Sequence, residues 1–298
     1  MTAQEQGFLL LCSQLGDPDR RPLTAPQLRV LARQVRAVEF SPDRQRDMTE
    51  NDLISIGQNR EQAHKILSLL NDEALLEHYL RRGRRANCIP LTRLSEGYPM
   101  AVRNRLGDDA PGCIWAKGNL ALLDLPAVAL VGSRDISGDH LAFAKEVGRQ
   151  AARQGYVLVS GNARGADKAA QESCLASGGQ VIAVVADELE RHHGSEHKLY
   201  ISEDSFDLPF SPLRALSRNR LIHCMGLRTF VAQCSYQKGG TWDGTVKNLR
   251  FGWSPVYCYD DRSPAMELLQ NMGAEPVRAV DLHNFQDLQI QYSNLFDQ

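Results

Sequence analysis

The apolar positions in the middle of the chain predict a sheet of alternating strands and helices. Three short runs are apolar throughout and rich in valine, namely Ala127–Val131, Tyr156–Val159 and Val181–Val185. Such runs are typical of strands that are buried on both faces of a parallel sheet. Between them, apolar residues recur every three or four positions, which predicts one helix beginning near 137–139 and another over about 167–176.

The same alternation continues towards the end of the chain. It predicts helix 213–225, strand 228–234, a helix ending near 250, strand 255–259 and helix 264–272, with an additional strand or hairpin within 110–119. Helices that connect parallel strands cover both faces of the sheet. The predicted fold class is therefore α/β: a Rossmann-like, mostly parallel sheet with helices on both faces, preceded by a small helical domain.

Up to about residue 88 the chain carries mainly helical patterns. Apolar residues with helical spacing occur in 8–15, 26–37, 60–70 and 73–82, and the last helix is predicted to end at Gly83. We predict a helical N-terminal domain over residues 1–88, of SAM or helix-hairpin-helix type, with a plain helical bundle as the alternative. The Rossmann-like domain is predicted over 89–280, and the polar residues 281–298 are predicted to form a loosely attached tail.

Composition narrows the class of protein. The chain has 298 residues, of which 43% are hydrophobic and 23% charged, and its formal net charge is −2. These values are ordinary for a globular protein, so contact with nucleic acid would need a local basic patch. No apolar stretch predicts a membrane span or a signal peptide. Seven cysteines, an odd number without a C-x-x-C pair, predict a reduced, cytoplasmic protein.

Candidate chemistry is concentrated in the turns that follow the first two strands. The first turn is Gly132-Ser133-Arg134, and the second runs from Ser160-Gly161 to Asp167. Glycine lets a ligand approach the backbone, helix N-termini attract anions, and arginine can donate two hydrogen bonds to a phosphate. Because neighbouring parallel strands end at one edge of a sheet, the two turns predict an anion-binding crevice. Tight turns without a ligand are the structural alternative.

Two later segments carry similar chemistry. The fourth strand leads into Lys238-Gly239-Gly240-Thr241, a Gly-rich turn before a helix. Arg218-Asn219-Arg220 is predicted to lie at a helix N-terminus directed at a phosphate or a base edge, with an ion pair as the alternative for either arginine. None of the turns is a G-x-G-x-x-G or Walker sequence, so NAD and P-loop sites are disfavoured. The predicted phosphate-binding residues are Gly132, Ser133, Arg134, Ser137, Ser160, Gly161, Arg164, Gly165, Asp167, Arg218, Asn219, Arg220, Lys238, Gly239, Gly240 and Thr241.

Two other clusters have ordinary explanations as well as functional ones. The four arginines within residues 81–85 lie at a predicted helix end, where they complement the helix dipole or bind phosphate. Three histidines and a glutamate fall within residues 192–197, but their spacing is not H-E-x-x-H, so a solvated loop is favoured over a metal site. We predict no metal, no cofactor and no catalytic residue.

The motifs taken together resemble a known family. The order K-G-N at 117–119, G-S-R at 132–134, S-G-x-A-x-G-x-D at 160–167, R-N-R at 218–220 and K-G-G-T at 238–241 is similar to that of the DNA-processing protein A family, also called DprA or Smf. The resemblance implies a homodimeric protein that binds single-stranded DNA and helps to load a RecA-type recombinase. It also implies that Arg134 and Lys238 contact DNA phosphates and that Arg218 and Arg220 line the same pocket.

The sequence departs from the family pattern in the late Gly-rich turn and in the His-rich segment. The late turn continues as Thr241-Trp242-Asp243-Gly244, which has some likeness to the corresponding turn of the LOG phosphoribohydrolases. Two alternatives therefore stay open. One is a sensor of a nucleotide or a nucleotide-derived ligand, with a role in defence. The other is a LOG-type nucleotide hydrolase that would use Asp167 or Asp243.

Overall fold

A nine-stranded mixed sheet forms the centre of the molecule, which is represented by a computed structural model that describes residues 1–38, 48–203 and 205–288. The strands are β1 Ile89–Thr92, β2 Cys113–Lys117, β3 Ala127–Val131, β4 Val157–Ser160, β5 Gln180–Val185, β6 Lys198–Glu203, β7 Thr229–Val231, β8 Val256–Tyr259 and β9 Glu275–Val277. Their order in the sheet is β1-β2-β6-β5-β4-β3-β7-β8-β9. In this order, the seven strands β6, β5, β4, β3, β7, β8 and β9 are parallel to one another. Strands β1 and β2 add an antiparallel edge, because β1 pairs with β2 and β2 pairs with β6 in antiparallel fashion.

Helices precede the sheet and connect its parallel strands. They are α1 Ala3–Cys12, α2 Ala25–Ala37, α3 Glu50–Ser55, α4 Arg60–Leu70, α5 Glu73–Arg85, α6 Met100–Leu106, α7 Gly138–Arg153, α8 Ala166–Ala176, α9 Pro212–Met225, α10 Gly239–Phe251 and α11 Pro264–Asn271. The predicted fold class is confirmed, because most of the sheet is parallel and the side chains of β3 alternate between two layers of helices. Val128 and Leu130 pack with α7 and α8, whereas Ala129 and Val131 pack in the layer that contains α9 and α11.

Three strands of the sheet, β1, β6 and β9, were not predicted from the sequence, and one helix runs further than expected. Strand β6 alternates Leu199 and Ile201 with polar residues and follows the His-rich segment, while β9 has only three residues. Helix α5 continues through Gly83 to Arg85. Gly83 is buried against Trp115, whose ring lies 2.8 Å from the position a Cβ would take. The glycine permits close packing there and does not end the helix.

The first part of the expected tail belongs to the core. Leu282 and Phe285 are fully buried and pack in the same cluster as Phe230 and Tyr257. The hydroxyl of Tyr257 donates to the carbonyl of Leu288 at 2.9 Å. The expectation of loose attachment is therefore wrong for residues 281–288, and residues 289–298 lie outside the described part of the chain.

The described residues also bear on two expectations from composition. Six of the seven cysteines are buried, and Cys12 is partly exposed. Among the described helices, none combines the length and the apolar character that crossing a membrane requires.

Candidate functional site

A cleft opens where β3, β4, β5 and β7 end, at the edge of the sheet that the predicted turns share. It has two adjoining compartments with volumes of about 320 Å³ and 450 Å³. Arg134, Ala163, Phe210 and Arg218 line both compartments. The smaller one also contains Gly161, Asn162, Arg164, Val185, Ala186 and Asp187. The larger one extends to Gly132, Ser133, Asp167, Asn219, Ser235, Lys238, Gly239, Gly240 and Thr241, among others. We refer to both compartments together as the crevice.

The two predicted turns pack directly against each other. A Cβ on Gly165 would lie 2.4 Å and 2.5 Å from the carbonyl oxygens of Arg134 and Ser133, and Gly165 has φ +82°. The amide of Ala166, at the start of α8, donates to the carbonyl of Ser133 at 3.1 Å. Only glycine fits this position without displacing the backbone of the first turn. Gly165 therefore joins the turns, and it does not itself line the crevice.

The third turn is fastened to the first turn and to helix α9. Thr241 donates from its hydroxyl to the carbonyl of Gly132 at 3.0 Å. Asn219 donates from its side-chain amide to the carbonyl of Gly240, also at 3.0 Å. Lys238 is the residue that precedes α10 and lines the larger compartment. These two bonds hold the lysine at the crevice although it lies about a hundred residues after Arg134 in the sequence.

Arg218 is a buried cation in the wall that both compartments share. Its residue surface is only 7% exposed, and its guanidinium donates to the carbonyl of Val184. The Nε atom has no hydrogen-bond partner among the described residues, and no described carboxylate lies within ion-pair distance. Burial lowers the pKa of Arg218, although the nearby Asp167 carboxylate opposes that shift. A buried guanidinium with an unused donor is well suited to bind an anion.

Asp167 lies at the start of α8 behind the arginines. Its carboxylate accepts from the amide of Ala163 at 3.3 Å. Burial raises the pKa of Asp167 to about 6, while the positive charge of Arg218 and the backbone N–H groups of the second turn limit the increase. This carboxyl stabilises the second turn by accepting from its backbone, and it adds negative charge to the lining of the larger compartment beside Arg218.

An aromatic side chain covers the mouth of the crevice. Phe210 is 50% exposed, and the guanidinium of Arg134 lies 5.9 Å from the centre of its ring. Arg214 donates to the carbonyls of Ala186, Leu208 and Pro209 at 2.8–2.9 Å, which fixes the segment that carries Phe210. An exposed ring held in this way is a platform on which a planar group can stack. Sequence reasoning missed Phe210, and its only signal was an aromatic residue just before the Ser-Pro start of α9.

Several predicted residues lie outside the crevice. Ser160 is fully buried and accepts from the side chain of Gln171 at 2.6 Å, and Ser137 precedes α7 without lining either compartment. Arg220 lies in a separate cleft of about 590 Å³, where it pairs with Glu203. The expected shared pocket for Arg218 and Arg220 is therefore not formed.

The position of the R-N-R segment explains why its arginines separate. It lies in the middle of α9 and not at the helix N-terminus, as the sequence had indicated. Successive residues of a helix turn by about 100°, so positions two apart point in nearly opposite directions. Arg218 therefore points into the crevice, and Arg220 points towards β6 and the N-terminal helices.

The His-rich segment does not itself line the crevice, but His192 contacts a residue of the smaller compartment. His192 bonds through Nε2 to the carboxylate of Asp187 at 2.8 Å and stacks on Tyr200 with ring centres 4.6 Å apart. The hydrogen bond from His192 lowers the pKa of Asp187. No group of side chains suited to a metal ion occurs within the described ranges. The segment therefore positions Asp187, which lines the crevice.

A parallel sheet whose Gly-rich turns gather arginine and lysine at its carboxyl edge defines a Rossmann-like protein with an anion-binding crevice. The family model for DNA recombination-mediator protein A matches residues 90–280, nearly two thirds of the chain. The protein belongs to that family, and the predicted DprA/Smf resemblance is confirmed.

Curated relatives and a solved structure agree with this assignment. The DNA processing protein DprA of Streptococcus pneumoniae is 35% identical over 141 residues, which cover 44% of this chain and 50% of the relative. Protein Smf of Borreliella burgdorferi is 25% identical over 213 residues, covering 67% of each chain. The alignments thus span between half and two thirds of these relatives. The X-ray structure of the pneumococcal protein covers 94% of this chain and 97% of that chain, with TM-score 0.72 and 22% identity.

Proposed function

We propose that this protein binds single-stranded DNA in the crevice and acts in DNA processing. The observation that carries the proposal is the buried Arg218 guanidinium, with its unpartnered Nε, which lines the same compartment as Arg134 and Lys238. DNA processing protein A from Helicobacter pylori, whose solved structure has TM-score 0.53 and 22% identity and covers 63% of this chain, is described as having a single-stranded DNA binding mode. That description concerns the relative, and it supports the same ligand here.

The arrangement of charges suits a nucleic-acid backbone. The chain as a whole has net charge −2, so the attraction has to be local. Arg134 and Lys238 supply cations along the opening, Arg164 adds a third that pairs with Asp135 at 3.0 Å, and Arg218 supplies a buried donor. Contacts with phosphates alone hold a strand without reading its sequence, and a base can stack on the half-exposed ring of Phe210. We infer sequence-independent binding of a short stretch of single strand.

Binding without turnover is the better supported chemistry. Of the two carboxylates considered for a hydrolase, Asp243 pairs with Lys247 at 2.8 Å and does not line the crevice. The other, Asp167, is held by the backbone of its own turn. A paired acid and base directed at one reacting atom would be needed for hydrolysis.

From the family resemblance, we also propose a homodimer and a RecA-type recombinase as the partner that receives the DNA.

The test is the fluorescence anisotropy of labelled single-stranded oligonucleotides, measured across a salt series with the wild type and an Arg134→Ala, Lys238→Ala variant. We expect weaker binding to every sequence. The slope of the logarithm of the affinity against the logarithm of the salt concentration should become shallower by about 1.4, because each lost phosphate contact on a single strand removes about 0.7. A Lys145→Ala, Arg153→Ala variant is the charge-matched control, since both residues are exposed on α7 and outside the crevice.

Two results would contradict this function. Unchanged affinity and slope in the Arg134→Ala, Lys238→Ala variant would mean that DNA binds elsewhere. Absence of oligonucleotide binding at low salt, together with thermal stabilisation by mononucleotides, would favour the nucleotide-sensor alternative. The smaller compartment, at about 320 Å³, has the size of a small-ligand pocket, which gives that alternative its physical basis.

A further inference from the structure

Four arginines lie in the last two turns of α5, away from the crevice residues in the sequence. Arg81, Arg82, Arg84 and Arg85 are all exposed. Arg81 pairs with Glu77 at 3.4 Å and Arg82 with Asp207 at 3.1 Å. Within the described parts of the chain, no ion pair or hydrogen bond engages the guanidinium of Arg84 or Arg85. Two positive charges therefore lack a counter-charge among the residues that the structure describes.

Capping of the helix does not account for these two side chains. The carbonyls of Arg82, Gly83 and Arg84 already accept backbone N–H groups from the residues that follow the helix, at 2.8–3.1 Å. Attraction to the helix dipole is weak at an exposed site and does not require four arginines. Residues three and four apart on a helix are neighbours, so Arg81 and Arg85 lie between Arg84 at one edge and Arg82 at the other. The four side chains form one broad basic surface, which we call the α5 arginine patch.

Helix α5 is fixed to the segment that carries Phe210. The hydroxyl of Tyr79 donates to the carboxylate of Asp207 at 2.8 Å, and the guanidinium of Arg82 lies over the rings of Tyr79 and Phe206. Asp207 precedes Phe210 by three residues, so their Cα atoms are at most about 11 Å apart. The ion pair of Arg82 with Asp207, three residues before Phe210, places the α5 arginine patch near the part of the crevice where Phe210 lies beside Arg134.

We propose that the α5 arginine patch is an extension of the DNA-binding surface, and that a strand leaving the crevice past Phe210 places its phosphates on Arg84 and Arg85. The inference rests on the proposed function, because it concerns the continuation of the same strand. The affinity for single-stranded DNA should therefore depend on the length of the oligonucleotide. An oligonucleotide contained within the crevice does not reach α5, whereas a longer one gains two phosphate contacts there.

The experiment compares labelled oligothymidylates of 6 and 24 nucleotides, with the wild type and an Arg84→Gln, Arg85→Gln variant of the full chain. For the long strand we expect roughly three- to tenfold weaker binding at low salt and a logarithmic salt slope smaller by about 1.4. The short strand should bind both proteins equally. An Arg149→Gln, Arg153→Gln variant, which removes two exposed arginines from α7, should bind both strands as the wild type does.

The outcomes separate this inference from the function on which it rests. If the wild type binds both strands and the α5 variant keeps the wild-type affinity and slope for the long strand, the extension is wrong and the crevice remains the site. Equal weakening for the short and the long strand would also overturn it, because the loss would then be general. If the wild type binds neither strand, the proposed function itself fails.

Discussion

The carboxyl of Asp167 shows how burial at one residue makes stability depend on pH. Burial raises its pKa from 3.8 to about 6 in the folded protein, so the folded state holds this proton more tightly than the unfolded state does. The resulting stabilisation is fully present below about pH 4 and is lost as the pH rises through 6. Above that range, the buried charge costs about 3 kcal/mol relative to the protonated group.

An Asp167→Asn variant should therefore gain stability relative to the wild type as the pH rises. We expect the difference between their free energies of unfolding to change by up to about 3 kcal/mol between pH 4 and pH 7.5 in favour of the variant, because asparagine has no charge to bury. Urea denaturation of both proteins at several pH values measures it. A difference that does not change with pH would mean that Asp167 keeps an ordinary pKa.

At the scale of elements, the approach of the β4–α8 turn to helix α9 creates the crevice wall. A Cβ on Gly161 would lie 2.0–2.5 Å from the guanidinium atoms of Arg218. The backbone of Gly161 does not have a positive φ, so alanine is excluded by its side chain and not by the conformation of the chain. The two elements meet only because this position lacks a side chain.

A Gly161→Ala variant should displace Arg218 and weaken DNA binding. Since the end of the arginine side chain can move, most of the effect should appear in affinity, with a loss of about tenfold or more as a charged hydrogen bond to phosphate is broken. Anisotropy with a short oligonucleotide measures the loss. Gly97→Ala is the control, because a Cβ there meets only Leu91 at an ordinary 3.8 Å. Wild-type affinity in the Gly161→Ala variant would show that Arg218 does not contact the strand.

Strands were predicted accurately from the sequence where apolar residues filled the whole segment. The valine-rich strands β3 and β5 were predicted within one residue of their ends, because burial on both faces leaves no polar position. Strand β6 was missed because only Leu199 and Ile201 mark it, next to polar residues. Gly83 was taken as a helix end, although it is the partner of Trp115. A local pattern does not reveal which distant ring a glycine accommodates.

At the scale of the whole molecule, residues 281–288 close one layer of the core. Phe285 is fully buried against Phe230, with ring centres 5.0 Å apart, and its amide donates to the side chain of Gln154 at 2.7 Å. This segment therefore contributes to the stability of the sheet, on the side away from α9 and the helices packed with it.

A Phe285→Ala variant should lose about 3–5 kcal/mol of stability, the usual cost of removing a large buried side chain. Its DNA affinity at low temperature should be unchanged, because Phe285 does not line the crevice. Denaturant unfolding measures the loss, and Val280→Ala is the control, since Val280 is 69% exposed. A change below about 1 kcal/mol for Phe285→Ala would mean that the segment is attached loosely after all.

The sequence by itself determined the α/β class, the positions of the Gly-rich turns and the family, because these depend on apolar runs and on short motifs of neighbouring residues. It also identified Arg134, Arg218 and Lys238 as candidates for binding phosphate. Tertiary structure decided which of the candidates share a crevice: the helical rotation of α9 turned Arg220 away from Arg218, and packing brought Phe210 and Asp187 into the lining. The reason is physical, since side-chain direction depends on the rotation of each helix and on contacts between residues that are distant in the chain.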